Sequence, residues 1–139
     1  MSFLLDTNAV SEWVKPRPDA GLIRWMEAAD EDRVFLSVIS LAELRYGVER
    51  LLAGKRRRRL EEWLSHELPV RFEGRVLPLD AQVADAWGRT VSRSEAAGRP
   101  MGVMDAFLAA TAEVHRLTLV TRNVDDFAGV KSVLNPWGS

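Results

Sequence analysis

Short apolar segments with strand character alternate along the chain with longer stretches in which apolar residues recur at helical spacing. The strand-like segments are residues 3–5, 34–38, 75–79, 118–120 and 130–134. Between them, residues such as Leu41, Leu44 and Val48 fall on one face of a helix. Strands and helices alternate in this way when helices cover both faces of a parallel sheet. The sequence therefore predicts an α/β fold with a central parallel sheet of four to five strands.

The composition restricts the chemistry that such a fold could perform. The chain has 139 residues, 47% of them hydrophobic, which is enough for a packed core, and we expect residues 1–139 to form one domain. It contains no cysteine, which excludes disulfides, thiolate nucleophiles and zinc–thiolate sites. With only two histidines, a bound metal ion would depend mainly on oxygen ligands. The net charge is −1, so any affinity for nucleic acid must come from a local patch.

The sequence also bears on location. No apolar stretch approaches the ~18 residues that a membrane span requires. The N-terminus enters the first predicted strand without the basic segment of a signal peptide. We therefore expect a soluble, cytoplasmic protein.

The first predicted strand ends abruptly on a carboxylate. Asp6, Thr7 and Asn8 follow three apolar residues, so Asp6 is expected at the carboxyl end of a strand. In open α/β sheets, ligands bind at that edge. The same three residues are also good helix N-caps, so a purely structural role explains Asp6 equally well.

Two further acids lie near the starts of predicted helices. Ser40 and Glu43 have the spacing of a capping box, in which Ser40 caps the helix and Glu43 binds a free backbone N–H. Asp105 falls in a first helical turn, where the helix macrodipole favours an acid. Its neighbours are apolar or small, however, and a carboxylate in a buried surface is rare without a partner. Each acid taken alone has an adequate structural explanation.

Polar residues also follow the strand predicted over residues 118–120. Thr121 is the expected cap of a short helix. Asn123, Asp125 and Asp126 are ordinary first-turn residues if the role of this segment is only structural.

The placement of these residues together is harder to explain by structure alone. The carboxyl ends of parallel strands share one edge, so Asp6, the helix of Glu43 and the turn at Asn123 should converge. Two unit charges about 4 Å apart repel by ~4 kcal/mol at an effective dielectric of about 20. A cluster of Asp6, Glu43 and Asp105 therefore needs raised pKa values or a bound cation. Oxygen ligands favour Mg²⁺ or Mn²⁺.

At these residues the chain resembles PIN-domain ribonucleases, specifically VapC-type toxins of the FitB-like branch. The matching segments, in order, are Leu4–Asn8, Ala42–Gly47, Asp105–Ala112, Val120–Asn123 and Asn135–Trp137. Each motif alone has low specificity, but their order and spacing extend the resemblance from end to end.

The resemblance implies an α/β/α sandwich, a divalent-metal pocket and endonucleolytic cleavage of RNA. Asp6, Glu43 and Asp105 match the three most characteristic acids and are the expected metal ligands. Family members often carry a fourth acid where this chain has Asn123, an amide that can contact a metal or water but adds no charge. Whether one or two metal ions bind therefore stays open, and Asp125 or Asp126 could replace the missing charge.

The resemblance also implies partners. VapC-type toxins are usually homodimers that a small antitoxin holds inactive, often within a larger assembly. The antitoxin typically inserts an apolar segment and an arginine at the acidic pocket, and arginine–carboxylate pairing makes such an arrangement physically sensible.

The residues themselves are compatible with metal-assisted hydrolysis. The chain has no nucleophile motif or phosphate-binding loop, whereas Mg²⁺ held by Asp6 and Asp105 could activate water. Glu43 would be a further ligand or would orient the attacking water, and Asn123 completes the set of candidate catalytic residues. Asn123 also keeps open a non-catalytic PIN-like module that binds RNA or protein. A magnesium phosphohydrolase acting on small phosphate esters is a weaker alternative.

One basic run could contact RNA. Lys55, Arg56 and Arg57 begin it and would suit RNA phosphates. Glu61 and Glu62 follow at neutralising distance, which favours an ordinary solvated helix face.

Overall fold

The strands form a parallel sheet in the computed structural model, which describes residues 1–138. Within these residues the sheet has five strands, β1 (Phe3–Leu5), β2 (Val34–Ser37), β3 (Val76–Leu77), β4 (Thr118–Val120) and β5 (Val133–Leu134). Their order across the sheet is β3-β2-β1-β4-β5, and every neighbouring pair is parallel. The predicted α/β class and the parallel sheet of four to five strands are confirmed.

Three strands are shorter than the sequence predicts. β2 ends at Ser37, because the Ser37 hydroxyl accepts a hydrogen bond from the Ile39 N–H and a helix begins at Val38. β3 covers only two residues of the predicted 75–79. β5 likewise covers only two residues of 130–134, since the Val130 N–H bonds to the carbonyl of Phe127 in a turn.

Helices connect the strands and pack on both faces of the sheet. They are α1 (Thr7–Trp13), α2 (Ala20–Ala28), α3 (Val38–Glu49), α4 (Lys55–Glu62), α5 (Leu68–Arg71), α6 (Ala81–Ala96) and α7 (Val103–His115). A π-helical turn at Trp63–Glu67 joins α4 to α5, and short 3₁₀ turns occur at Glu31–Arg33 and Val124–Phe127.

The two sheet faces belong to different parts of the core, because successive side chains of a strand point to opposite faces. Leu5 and Val120 pack with α1 to α5 on one face, whereas Leu4 and Leu119 pack with α7 on the other. Helix α6 packs on α7 through Val83 and Ala86. This arrangement is the α/β/α sandwich that the resemblance implied.

The direction of the chain across the sheet reverses between β1 and β4. The chain steps outward from β1 to β2 and β3, and then returns past them through α6 and α7 to β4 and β5. Such a reversal opens a crevice outside the carboxyl ends of the strands, where ligands bind in open α/β sheets. None of the helices within residues 1–138 is long and apolar enough to cross a lipid bilayer.

Candidate active site

A cleft of about 380 Å³ lies at this reversal point. Asp6, Glu43, Asp105 and Asn123, which the sequence predicted to lie together, all line it. Asp6 follows β1, Glu43 lies in the second turn of α3, Asp105 in the first turn of α7, and Asn123 follows β4. We call this cleft the acid cleft; the structure places the four side chains together, and their catalytic roles stay a prediction.

Asp6 is both the cap of a helix and a buried acid. Its backbone N–H bonds to the carbonyl of Val120 at 2.9 Å, which aligns β1 with β4. One carboxylate oxygen accepts the Thr7 N–H at 2.6 Å, and the other accepts the Thr121 hydroxyl at 2.8 Å. The residue is only 7% exposed. The two explanations that the sequence left open are therefore compatible, since the interactions that cap α1 also orient the acid.

Thr121 does not have the capping role that the sequence predicted. The residue before the 3₁₀ turn at Val124–Phe127 is Asn123, and its side chain makes no capping hydrogen bond. The Thr121 hydroxyl instead donates to Asp6 and accepts from the Asn123 N–H at 3.0 Å and the Asn8 amide at 3.3 Å. These contacts use its one proton and both lone pairs. Thr121 is fully buried and joins the exits of β1 and β4.

The predicted capping box at Ser40 and Glu43 is wrong. The cap of α3 is Ser37, three residues earlier, so Ser40 does not cap the helix, and the Glu43 side chain contacts the Thr7 hydroxyl rather than a backbone N–H. The Thr7 hydroxyl donates to Glu43 Oε1 at 2.5 Å and lies 3.0 Å from Ser40 Oγ. The Glu43 carboxylate is thus held against the start of α1, facing the acid cleft.

The acids of the cleft interact electrostatically. Burial raises the pKa of Asp105 to about 6, and the charges of Asp6, Asp126 and Glu43 contribute to the rise. Burial also raises the pKa of Asp6, with smaller contributions from Glu43 and Asp126, against the lowering effect of the hydrogen bonds from Thr121 and Thr7. Both shifts show that negative charge is held here at an energetic cost, as the predicted convergence of acids implied.

Asp126 lies close enough to the acid cleft for its charge to act on Asp6 and Asp105, although it does not line the cleft. Its charge contributes to the raised pKa of both Asp6 and Asp105, whereas Asp125 contributes to neither. Whether Asp125 or Asp126 replaces a fourth carboxylate stays a prediction.

The residues of the cleft fit a hydrated divalent cation. Within residues 1–138, no three side chains of His, Cys, Asp or Glu are grouped closely enough to enclose a metal ion. The acids are therefore more loosely arranged than a tight three-carboxylate cluster. Mg²⁺ typically keeps several waters and binds through only one or two carboxylates, so this arrangement suits it. The raised pKa values of Asp6 and Asp105 also indicate charge that a cation would neutralise.

Several polar side chains of the cleft were not predicted as functional. Lys15 lines it, but its ammonium pairs with Glu12 at 2.9 Å. Arg122 also lines it, and no carboxylate among the described residues lies within 4.0 Å of its guanidinium. The Trp137 indole N–H is buried without a hydrogen-bond partner in the part of the chain that the structure describes. The position of Arg122 beside Asn123 could have indicated that it lines the acid cleft, whereas no local pattern links Trp137 to the acids.

The basic run lies away from the acid cleft, whose lining includes none of Lys55, Arg56 and Arg57. Lys55 and Arg56 are exposed on α4. Arg57 forms ion pairs with Glu49 and, at 2.8 Å, with Glu61, and it also bonds to a backbone carbonyl. Arg57 therefore supports the packing of α4, and the RNA contact of this run stays a prediction.

Comparisons with known proteins agree with this geometry. The PIN domain family matches residues 3–132. The chain is 39% identical over 135 residues to Toxin FitB of Neisseria gonorrhoeae, covering 96% of this chain and 97% of that protein. It is 35% identical over 135 residues to VapC ribonuclease Y4jK of Sinorhizobium fredii, covering 96% of each.

A solved structure shares the whole fold. The crystal structure of FitAcB from Neisseria gonorrhoeae superposes with a TM-score of 0.92 and 38% identity, covering 99% of each chain. The match therefore includes the sheet, the helices and the elements that carry the acids. With its family match and its relatives spanning nearly the full chain, this protein belongs to the PIN-domain family.

Proposed function

We propose that this protein is a divalent-metal-dependent endoribonuclease and the toxin of a toxin–antitoxin pair. The observation that carries the proposal is the convergence of Asp6, Glu43 and Asp105 on one cleft. A relative of similar length is named as a VapC ribonuclease and another as a toxin. RNA phosphodiesters are therefore the substrate that we assign to the acid cleft.

Each acid has a distinct environment, from which we infer its role. Asp6 is fixed by Thr7 and Thr121, so it presents its carboxylate to the cleft in one orientation. Asp105, with its pKa of about 6, is mostly ionised at neutral pH and becomes fully so when a cation binds. We assign these two aspartates as the metal ligands, with Mg²⁺ or Mn²⁺ as the cation. Such a cation, when bound, lowers the pKa of a coordinated water and stabilises charge on the phosphate.

Glu43 and Asn123 complete the set of residues that we assign to catalysis. The contact with Thr7 leaves one oxygen of Glu43 without a described hydrogen bond. That oxygen can accept a proton from the attacking water, or it can join the two aspartates as a ligand. Asn123 can orient a water through its amide, and Asp126 adds negative charge near the two aspartates.

The partners that we propose follow from the same cleft. An antitoxin that places an arginine among the acids would neutralise the negative charge of Asp6 and Asp105, whose burial raises their pKa values. This would block substrate and cation together. A homodimer, within a larger assembly with the antitoxin, is the oligomeric state that we propose.

The test measures cleavage and cation binding separately. Purified protein without antitoxin is incubated with RNA in Mg²⁺, Mn²⁺ or excess chelator, and Mg²⁺ binding is followed by calorimetry. We expect cleavage only with a divalent cation, and we expect Asp6→Asn to abolish cleavage and weaken binding. The matched control is Asp85→Asn, because Asp85 is exposed on α6 and pairs only with Arg89. Circular dichroism of each variant checks that it is folded.

Three results would contradict the proposal. Cleavage that persists in chelator would exclude the metal-dependent mechanism. RNA binding without turnover in any divalent cation would instead indicate a non-catalytic module. Turnover of a small phosphate ester in preference to RNA would indicate a phosphohydrolase.

A further inference from the structure

A second and larger groove, of about 1150 Å³, adjoins the acid cleft. Asp105 lines both, so a ligand held at Asp105 can continue into the groove. Its walls come from the end of α6, the loop before α7, one side of α7, and the segment from Asp125 to Ser132. We call it the α7 groove. Because it begins at a candidate catalytic acid, it is a natural path for a long substrate.

The charges of the α7 groove are unevenly distributed. Asp105 and Asp126 lie at the end shared with the acid cleft. Arg99, Arg116 and Lys131 are exposed along the groove, and no described carboxylate lies within 4.0 Å of any of them. These three cations are therefore available to an anionic ligand.

Asp125 also lines the groove, beside Asp126, and adds negative charge at the acidic end. Arg93 and Glu113 also line it, but they are 3.4 Å apart and pair with each other. Lys131 lies at the end far from the acids, because the neighbouring Ser132 contacts Thr118, the first residue of β4, at 2.7 Å. The acid cleft, by contrast, lies beyond the last residue of β4.

Arg116 has a backbone conformation that a side chain disfavours. It ends α7 with φ 55° and ψ 48°, in the left-handed region, and within residues 1–138 it is the only residue other than glycine with positive φ. Glycine usually occupies this helix-ending position, because a Cβ is strained there. The turn itself uses only backbone groups, such as the Leu117 N–H bound to the Ala112 carbonyl at 2.8 Å. The arginine side chain is thus not needed for the turn, and an unfavourable conformation presents it to the groove.

We propose that the α7 groove binds the sugar–phosphate backbone of the RNA strand on one side of the scissile bond, with phosphates contacting Arg99, Arg116 and Lys131. This inference rests on the proposed function and specifies how its substrate is held. Arg116 lies eleven residues along from Asp105, or about 16 Å at 1.5 Å per helical residue. At ~3.4 Å per stacked nucleotide, that length accommodates four to five nucleotides.

An RNA strand fits the groove better than an acidic protein segment would. The three cations are spread along a groove that starts at Asp105. RNA matches this arrangement, because it carries a negative charge at every nucleotide and is cut at that acid. Guanidinium groups bind phosphate through two parallel hydrogen bonds, and Lys131 supplies a point charge. An acidic protein segment would also bind the cations, but it would not require the groove to join the acid cleft at Asp105.

The test uses RNA oligonucleotides extended by one to eight nucleotides on either side of a single cleavage site. With the full-length wild-type protein, we expect KM to fall as one side is extended to about five nucleotides and then to level off. Arg116→Gly should raise KM for the long substrates at least threefold and remove most of the benefit of extension. The loss should appear in KM rather than in kcat, because Arg116 is about 16 Å from Asp105.

Salt dependence gives a second readout. Each lost phosphate contact lowers the slope of log binding constant against log salt by about 0.7 for a single strand. The triple variant Arg99→Gln, Arg116→Gly, Lys131→Gln should therefore lose a slope of about 2. The control is Arg24→Gln, because α2 packs on the opposite face of the sheet and Arg24 is exposed there. This control should match the wild type in KM and slope.

Folding separates a binding role from a structural one. Arg116→Gly should raise the urea midpoint of unfolding, because glycine accepts the left-handed conformation. A variant that binds RNA less well but folds more stably cannot owe its defect to unfolding. If Arg116 were retained only for stability, the midpoint would fall.

A direct measurement of RNA binding separates failure of this inference from failure of the proposed function. Anisotropy of labelled RNA in chelator measures affinity whether or not the protein cleaves it. If the wild type never cleaves RNA but the triple variant still loses affinity, only the proposed activity fails. The inference is overturned if both KM and affinity of the variants equal those of the wild type. It is also overturned if the substitutions change only oligomeric state or binding of an acidic partner protein.

Discussion

Replacing Asp105 by asparagine should make the metal-free protein more stable at neutral pH. Asp105 is partly buried near Asp6, Asp126 and Glu43, and its pKa is raised to about 6. Its carboxylate is charged in the unfolded chain as well, where water solvates it fully. The folded state alone therefore bears the cost of burying and crowding that charge. Asparagine has nearly the same shape and removes the charge.

The size of this effect follows from the shift in pKa. An ordinary aspartate has a pKa of about 3.9, so a value of about 6 corresponds to roughly 3 kcal/mol at 1.36 kcal/mol per unit. Asp105 is partly exposed, and solvent screening reduces the effect, so we expect about 1–1.5 kcal/mol. Well below pH 4, at about pH 3, the group is protonated in both states and the penalty vanishes. The penalty grows as pH rises from about 4 to about 6 and is complete above that range.

Urea unfolding in chelator, followed by tryptophan fluorescence at pH 7.5 and pH 4, measures this difference. Asp105→Asn should exceed the wild type by about 1–1.5 kcal/mol at pH 7.5, and the gain should fall to about 0.5 kcal/mol or less at pH 4. Asp85→Asn, at an exposed ion pair on α6, should show no such dependence on pH. Equal stability of Asp105→Asn and the wild type at pH 7.5, or a gain that is the same at both pH values, would refute the reasoning.

Three further substitutions test other contacts. Thr121→Val should lower the free energy of unfolding by about 1–3 kcal/mol in urea titrations, because it leaves a buried oxygen of Asp6 without its donor; a loss below 0.5 kcal/mol would contradict this. Trp137→Phe removes a buried N–H that has no described partner. The smaller ring also loses packing against the core, so the free energy of unfolding should fall by about 1 kcal/mol in the same titrations; a loss above ~3 kcal/mol would show that the N–H has a partner in the folded protein. Arg57→Gln should lower the free energy of unfolding only slightly, and this loss should shrink in 1 M salt because Glu49 and Glu61 are partly exposed; a large loss that does not depend on salt would contradict it.

The sheet could be predicted because its strands are short apolar runs separated by amphipathic helices. Its strand ends could not, because they depend on hydrogen bonds that local sequence does not reveal. Val130 is apolar and β-branched, but its N–H serves a turn with Phe127. Arg75 likewise bonds to the carbonyl of Phe72, so regular strand structure in β3 begins only at Val76.

The convergence of the acids could be predicted because each follows a strand or lies in the first two turns of a helix at the same sheet edge. The groups that orient them could not be assigned correctly, because their partners are distant in sequence. Thr7 and Glu43 are 36 residues apart, and Thr121 and Asp6 are 115 apart. Local spacing suggested helix caps for Ser40 and Thr121, since capping is the commonest role of such residues near a helix start. Their actual contacts depend on how the strands align.

The alignment of β1 with β4 links the hydrophobic core to the acid cleft. Leu4 pairs with Leu119 and Leu5 with Val120, and all four side chains are fully buried, on alternate faces of the sheet. A slip of one residue would displace one strand by about 3.3 Å and mismatch both faces at once. The same slip would break the 2.8 Å hydrogen bond between Thr121 and Asp6, which come directly after the paired residues. Apolar packing on both faces therefore fixes the position of the acid, and core substitutions that loosen this register should impair catalysis before they unfold the protein.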